Sequence, residues 1–303
     1  MDIAIGMDVD GPIEKTIERA TQLRALGFTR TWSSQIFGPD TLTVLAIVGR
    51  ELRDLDLGTA VVPIHTRHPT MLAAQARTVQ DAIGGRLSLG IGLSHKAVVE
   101  GMWGFSFERP AHYMREYLDA LEPMLRGEKV ATKGERVSAT TLGTLGPPDV
   151  RTPDLLIAAL APKMLAMAGT VTNGTLTWMT GVKTIADHVV PTINAAAAAA
   201  GRPTPRVVCS LPISVTSDVA TTRVHVNETL AIYGQLPSYR AMLDREGAVG
   251  PADVGLFGTH DQVLEQLHAL AEAGATEFSA VLAGDAADRD ATYAALLAYG
   301  AKS

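Results

Sequence analysis

The alternation of apolar and polar positions along the chain predicts strands and helices in regular succession. Leu57 to Val62 is a short apolar run rich in β-branched residues, the pattern of a buried strand. Pro69 follows where a helix can begin without a backbone N–H. Leu72, Ala76, Val79 and Ile83 then recur at helical spacing and make one apolar stripe. Gly84-Gly85 stops that helix, and Leu87 to Ile91 reads as the next strand, running into Gly90, Gly92, Ser94 and His95. Strand, helix and strand in this order form a right-handed parallel crossover unit.

The same alternation extends in both directions. Ile3 to Met7 predicts a first strand. Pro12 opens a helix whose inner face carries Ile13, Ile17, Ala20 and Leu23 or Arg24, and Gly27 ends it. Thr29 to Ser33 predicts the second strand, Pro39-Asp40 a loop and N-cap, and Thr41 to Arg53 the second helix. After the crossover unit, residues 95–110 read as a loop rich in Gly and aromatics. Met114, Leu118, Leu121 and Leu125 then carry a helix closed by Gly127. Residues 128–153 show no clean period and read as an excursion after strand four. Leu155 to Ala159 predicts strand five, Pro162 through Ala168 a helix, and Gly174 to Met179 strand six. Thr184 to Ala200 is helical, its run of alanines favouring helix, and Val207 to Val215 predicts strand seven. A helical region from Asp218 to about Arg245, broken near Gly234 and Pro237, is a second insertion. Thr259-His260-Asp261-Gln262 fits a capping box leading into Val263, Leu267 and Leu270. Phe278 to Leu282 predicts strand eight and Asp288 to Ala298 the last helix. Eight strands alternating with helices predict one (β/α)8 barrel domain over residues 1–303, with insertions after strands four and seven; a doubly wound open sheet is the alternative.

Composition narrows the function classes. The chain of 303 residues is 47% hydrophobic, enough for a large core, and its net charge of -6 argues against general nucleic-acid binding. No apolar run reaches the roughly 18 residues of a membrane helix. The first ten residues lack the basic start and apolar core of a signal peptide, so a cytoplasmic location is expected, and the Asn-x-Thr matches at Asn173 and Asn227 carry no weight. Cys209 is the only cysteine, which excludes an internal disulfide or a cysteine-rich metal site. No His or carboxylate pair has metal-ligand spacing, and no Ser/His/Asp order stands out.

Three stretches carry a family resemblance: LGTAVVPIHTRHP from Leu57, GGRLSLGIGLSH from Gly84, and GTHDQVLEQLHALAEAGATEF from Gly258. In this order, with Gly-Gly-Arg ahead of an apolar strand ending in Gly-x-Gly, the chain resembles the bacterial-luciferase-like superfamily of flavin and deazaflavin oxidoreductases. It is most similar to the coenzyme F420-dependent branch found in actinobacteria. The resemblance implies hydride transfer between coenzyme F420 and a small organic substrate on a (β/α)8 barrel, and a homodimer paired through barrel helices. An FMN-dependent monooxygenase and a non-catalytic flavin-binding relative are the alternatives; the aromatic loops and the complete loop after strand seven argue against the latter.

Barrel sites lie at the C-terminal ends of strands, which brings Ser34 and Gln35, residues 63–67, Ser94 and His95, and Trp178 with Thr180 to one face. The resemblance implies a non-proline cis peptide at Ala60-Val61, supporting the middle ring of the cofactor. It implies a cofactor phosphate near Ala159-Leu160-Ala161, ahead of Pro162-Lys163, where helix-start N–H groups attract anions. Thr180-Gly181 is expected as a second phosphate contact. Many relatives carry glycines where this chain has alanine and leucine. Gln35, Gly92 and Ser94 complete the expected cofactor set; Gln35 stands where some deazaflavin enzymes have histidine, which points away from a sugar-phosphate dehydrogenase. His95 is the catalytic candidate, placed to donate to a developing charge or to move a proton near neutral pH. Several family members carry a carboxylate there. His65 and His68 are expected to shape the third-strand loop, and the remaining histidines to be solvated or to cap helices. Trp103, Trp178, Tyr233 and Tyr239 are expected to wall the substrate pocket.

Overall fold

A computed structural model describes residues 1–301. Its strands are β1 (Asp2–Gly6), β2 (Arg30–Ser33), β3 (Asp56–Thr59), β4 (Val62–Pro63), β5 (Leu87–Gly92), β6 (Ala131–Lys133), β7 (Ser138–Thr140), β8 (Asp154–Ala158), β9 (Gly174–Trp178), β10 (Arg206–Val215), β11 (Leu256–Gly258) and β12 (Glu277–Leu282). Eight of them close into a parallel barrel in the order β1-β2-β3-β5-β8-β9-β10-β12, with β12 returning to β1. The fold is the expected (β/α)8 barrel, not an open sheet. β4 continues β3 along β5, and β11 pairs only with the far end of β10.

The helices are α1 (Ile13–Leu26), α2 (Thr41–Glu51), α3 (Pro69–Ala82), α4 (Lys96–Gly101), α5 (Pro110–Leu125), α6 (Pro162–Val171), α7 (Val182–Thr184), α8 (Val190–Ala199), α9 (Val219–Thr229), α10 (Pro237–Glu246), α11 (His260–Glu272) and α12 (Ala286–Gly300). A π turn at Ile185–Val189 joins α7 to α8 as one continuous helix. The expected capping box is present: Thr259 Oγ1 accepts from the Gln262 N–H, and Gln262 Oε1 accepts from the Thr259 N–H.

Four features differ from the reading of the sequence. Strand three is interrupted between Thr59 and Val62. The loop after strand four contains α4, whose six residues are too short to show a helical period. The excursion at 128–153 holds the antiparallel hairpin of β6 and β7, whose three-residue strands are too short for alternation to show. The helix expected from Thr184 starts two residues earlier.

Two apolar layers hold the barrel. The larger lies between the strands and the helices. The smaller fills the barrel itself: Ala4, Trp32, Leu156, Leu176 and Val208, with Ala60 and Val61 packed on it. The Trp32 indole takes most of this space because Gly58 opposite it has no side chain; a Cβ there would lie 2.3 Å from the ring. At the N-terminal end the barrel is closed by charge. The buried Glu277 carboxylate accepts from Trp32 Nε1, from Arg30 (2.9 Å) and from Arg206 (2.8 Å).

Candidate active site

The interruption of strand three is a one-residue bulge at the barrel mouth. The ladder between β3 and β5 pairs Leu57 with Leu87 and Gly58 with Ser88, then resumes with Val62 opposite Ile91 and Pro63 opposite Gly92. Four steps along one strand match three along the other, so one residue is extra. The Ala60-Val61 peptide within it is cis. Thr59 replaces the lost rungs, its hydroxyl donating to the Gly90 carbonyl (2.7 Å) and accepting the Gly90 N–H (2.9 Å). Residue 90 must be glycine, since a Cβ would lie 1.9 Å from the Thr59 carbonyl oxygen. The end of β2 holds the other side: Ala60 N–H donates to the Ser33 carbonyl, Ser34 Oγ to the Ala60 carbonyl, and Gln35 N–H to the Val61 carbonyl. The backbone groups of the bulge are thus tied to both neighbours, as a rigid platform requires.

At the same end of the barrel the structure brings four expected residues into one aromatic row. The His95 ring lies 5.5 Å from Tyr239, Tyr239 lies 5.4 Å from Tyr233, and Tyr233 lies 5.6 Å from Trp178 in edge contact. His95 and Trp178 come from the ends of β5 and β9, and both tyrosines come from the insertion after β10. Ser94 and Met179, next to His95 and Trp178, adopt left-handed φ of 59° and 53°. Such backbone is costly for a residue with a side chain and clusters at functional sites. Burial lowers the His95 pKa below its ordinary value, so the ring is neutral at pH 7 and able to accept a proton. Trp103 lies on the loop after α4 and makes no ring contact with the row among the described residues.

The two turns expected to hold phosphate differ. At Ala159-Leu160-Ala161 no side chain caps α6, whose first residue is Pro162. The turn is held from behind: His188, buried in the π turn, hydrogen-bonds the Leu160 carbonyl through Nε2 at 2.7 Å. At Thr180-Gly181 the helix start is already occupied. Glu246, at the end of α10, accepts from the N–H of Lys183 (3.1 Å) and of Thr184 (2.8 Å), and from Thr184 Oγ1 (2.7 Å). Its carboxylate fills the space beside Gly181. Gln35 also uses its side chain locally, accepting the Thr41 N–H at 2.7 Å at the start of α2. It meets the bulge through its backbone.

His65 and His68 do shape the loop after β4. His65 is buried, stacked on Tyr113 at 4.7 Å with Phe107 at 5.9 Å, and its pKa is lowered to about 4 by burial and by the nearby Arg136. His68 Nε2 meets the Ser138 carbonyl of the hairpin at 3.0 Å. Thr59, His188 and Glu246 were not legible as site residues. The partners of His188 and Glu246 are 28 and 62 or 63 positions away, and only the fold brings them together.

The interrupted strand, the aromatic row and the uncapped start of α6 all lie at the C-terminal end of the (β/α)8 barrel. The family model described as luciferase-like monooxygenase matches residues 3–277, and the chain belongs to that family. A putative coenzyme F420-dependent oxidoreductase of Mycobacterium tuberculosis is 30% identical over 177 residues, covering 54% of this chain and 51% of its own length. This chain therefore spans about half the length of that relative. Two solved structures share the fold. An F420-dependent secondary alcohol dehydrogenase in complex with an F420-acetone adduct superposes with a TM-score of 0.77 at 16% identity, over 93% of each chain. The oxygenating constituent of 3,6-diketocamphane monooxygenase from Pseudomonas putida, in complex with FMN, superposes with a TM-score of 0.75 at 18% identity, over 98% of this chain and 96% of that one.

Proposed function

We propose that this protein is a coenzyme F420-dependent oxidoreductase acting on a small organic substrate. The observation that carries the reading is the convergence of His95, Tyr239, Tyr233 and Trp178 at the same end of the barrel as the bulge. The residues present fit a deazaflavin. Ala60 and Val61 offer a backbone surface tied on both sides, and the uncapped start of α6 beside Ala159 and Ala161 offers an anion site. The similarity to a putative F420-dependent oxidoreductase supports the choice of deazaflavin over FMN.

Bound deazaflavin supplies hydride chemistry. The bulge at Ala60-Val61 would support the flat ring, and the start of α6, where His188 fixes Leu160, would hold the phosphate. Gly92 and Ser94 bring the chain out of β5 to His95, whose neutral imidazole takes or returns the proton that accompanies the hydride. Trp178, Tyr233 and Tyr239 exclude water from the reacting centre.

Titrating oxidised F420 and FMN separately against intrinsic tryptophan fluorescence tests this reading. F420 binds with micromolar or better affinity and FMN more weakly. Tight FMN binding without a response to F420 overturns it in favour of a flavin monooxygenase.

A further inference from the structure

The aromatic row is polar at its tips and carries no charge. Trp178 Nε1 is buried without a hydrogen-bond partner. The hydroxyls of Tyr233 and Tyr239 and the ring nitrogens of His95 make no hydrogen bond to protein among the described residues. An indole N–H can only donate, and buried without a partner it leaves its lost hydration uncompensated. A ligand that brings an acceptor to it recovers that loss.

None of the four rings is engaged directly by a charged group either: no salt bridge or cation–π contact involves any of them among the described residues. Burial is the cause of the lowered His95 pKa and of the raised Tyr233 pKa; for Tyr239 burial and the neighbouring Tyr233 act together. A carboxylate or phosphate entering the row sheds its water and meets no cation in return. Three of the loops leaving the strand ends, those after β2, β5 and β10, also carry exposed apolar side chains: Phe37, Met102, Phe105 and Ile232 are exposed by 65%, 63%, 47% and 57%. Ligand sites of this composition take apolar bodies oriented by a few polar groups.

We infer that the substrate is an uncharged, planar, largely apolar compound whose oxygen acceptor is anchored by the Trp178 Nε1–H, its flat face lying on one of the two tyrosine rings and its edge meeting the other, since those rings stand at 74° to each other. The inference rests on the mouth of the barrel being the active site proposed above. It excludes sugar phosphates, carboxylic acids and other anions as substrates of this chain.

Three probes of one shape test it. 2-Acetylnaphthalene is planar, uncharged and carries an acceptor; 2-ethylnaphthalene lacks the acceptor; 6-acetyl-2-naphthoate adds a charge. Each is titrated by fluorescence against the protein, with and without saturating F420 or FMN, whichever binds. The acetyl compound binds at least about tenfold more tightly than the naphthoate and at least about fivefold more tightly than the ethyl compound. The second gap closes in Trp178→Phe, which keeps a ring and loses the donor. Equal or tighter binding of the naphthoate overturns the inference in the wild-type protein alone. So does displacement of the acetyl compound by cofactor, or an acceptor preference that survives in Trp178→Phe. Failure of both cofactors to bind overturns the proposed function instead, and the comparison of probes on the cofactor-free protein still decides the substrate class.

Discussion

Single residues at the mouth act through local constraint. Thr59 substitutes a side chain for a missing stretch of ladder, and Ser94 and Met179 turn the chain through left-handed backbone to aim His95 and Trp178. The cis peptide at Ala60-Val61 was expected from the family resemblance and is present, but the parts of Thr59, Ser94 and Met179 were not legible, because Thr, Ser and Met advertise neither a ladder substitute nor a positive φ. The placement of His95 and Trp178 at the ends of their strands was legible, since the apolar runs that precede them mark those strands. His65 shows the consequence of burial most plainly. Its folded-state pKa of about 4 lies below the ordinary 6.5 of an unfolded chain. Between those two values the unfolded chain holds a proton that the folded chain does not, so stability is full above pH 6.5 and falls as the pH drops toward 4. His95 shifts in the same direction. The thermal midpoint is expected to fall on acidification from neutral pH, and to fall less in His65→Phe. An unchanged pH slope in that variant contradicts the assignment.

At the scale of elements, the insertion after β10 brings Tyr233 and Tyr239 against residues at the ends of β5 and β9. Tyr239 and Glu246 stand seven residues apart, two turns along α10, so one face of that helix presents both. Glu246 caps the helix that begins at Val182 while Tyr239 meets His95. The carboxylate occupies the position that an anion takes at a helix start. Glu246→Ala is therefore expected to lower kcat/KM by roughly tenfold, an effect on the order of a lost N-cap, by loosening Tyr233 and Tyr239. Millimolar inorganic phosphate should partly restore it by entering the vacated helix start, and Glu246→Gln should lose less. Full activity of the alanine variant without phosphate rules out this clamp. The helix stops at Gly27 and Gly84, the capping box at Thr259 and the breaks near Gly234 and Pro237 were all readable. Each is encoded within a few residues. The clamp of Glu246 on Lys183 and Thr184 is not, and short elements such as α4 and β11 leave no period to read.

The whole molecule divides its work between the ends of the barrel. The C-terminal ends of the strands carry the bulge, the aromatic row and the helix starts. The N-terminal ends carry a closed charge network in which Glu277 meets Arg30, Arg206 and Trp32, with Asp56 and Asp154 completing the arginines' contacts. This is the division expected of a (β/α)8 enzyme, with chemistry at one face and stability at the other. Removing one partner of a buried charge network costs about 3–5 kcal/mol, so Glu277→Ala is expected to lower the thermal midpoint by roughly 10 °C while F420 affinity stays within a few-fold. A loss of cofactor binding without a loss of stability would place Glu277 in the site instead. The barrel was legible from the count of alternating strands and helices. The network was not, because Arg30, Arg206 and Glu277 are scattered through the chain and converge only when the barrel closes.

The central claim is that the mouth of this barrel performs hydride transfer with His95 moving the accompanying proton. Turnover by His95→Ala, measured beside its F420 affinity, tests it most directly. General acid–base help contributes roughly 10²–10⁴-fold, so kcat is expected to fall at least about tenfold while the dissociation constant for F420 stays within a few-fold. In the direction in which His95 accepts the proton, wild-type activity also declines as the pH falls through the lowered pKa of His95, because the protonated ring can no longer accept a proton. That acidic limb disappears in the variant. Wild-type turnover by His95→Ala with F420 normally bound contradicts the claim.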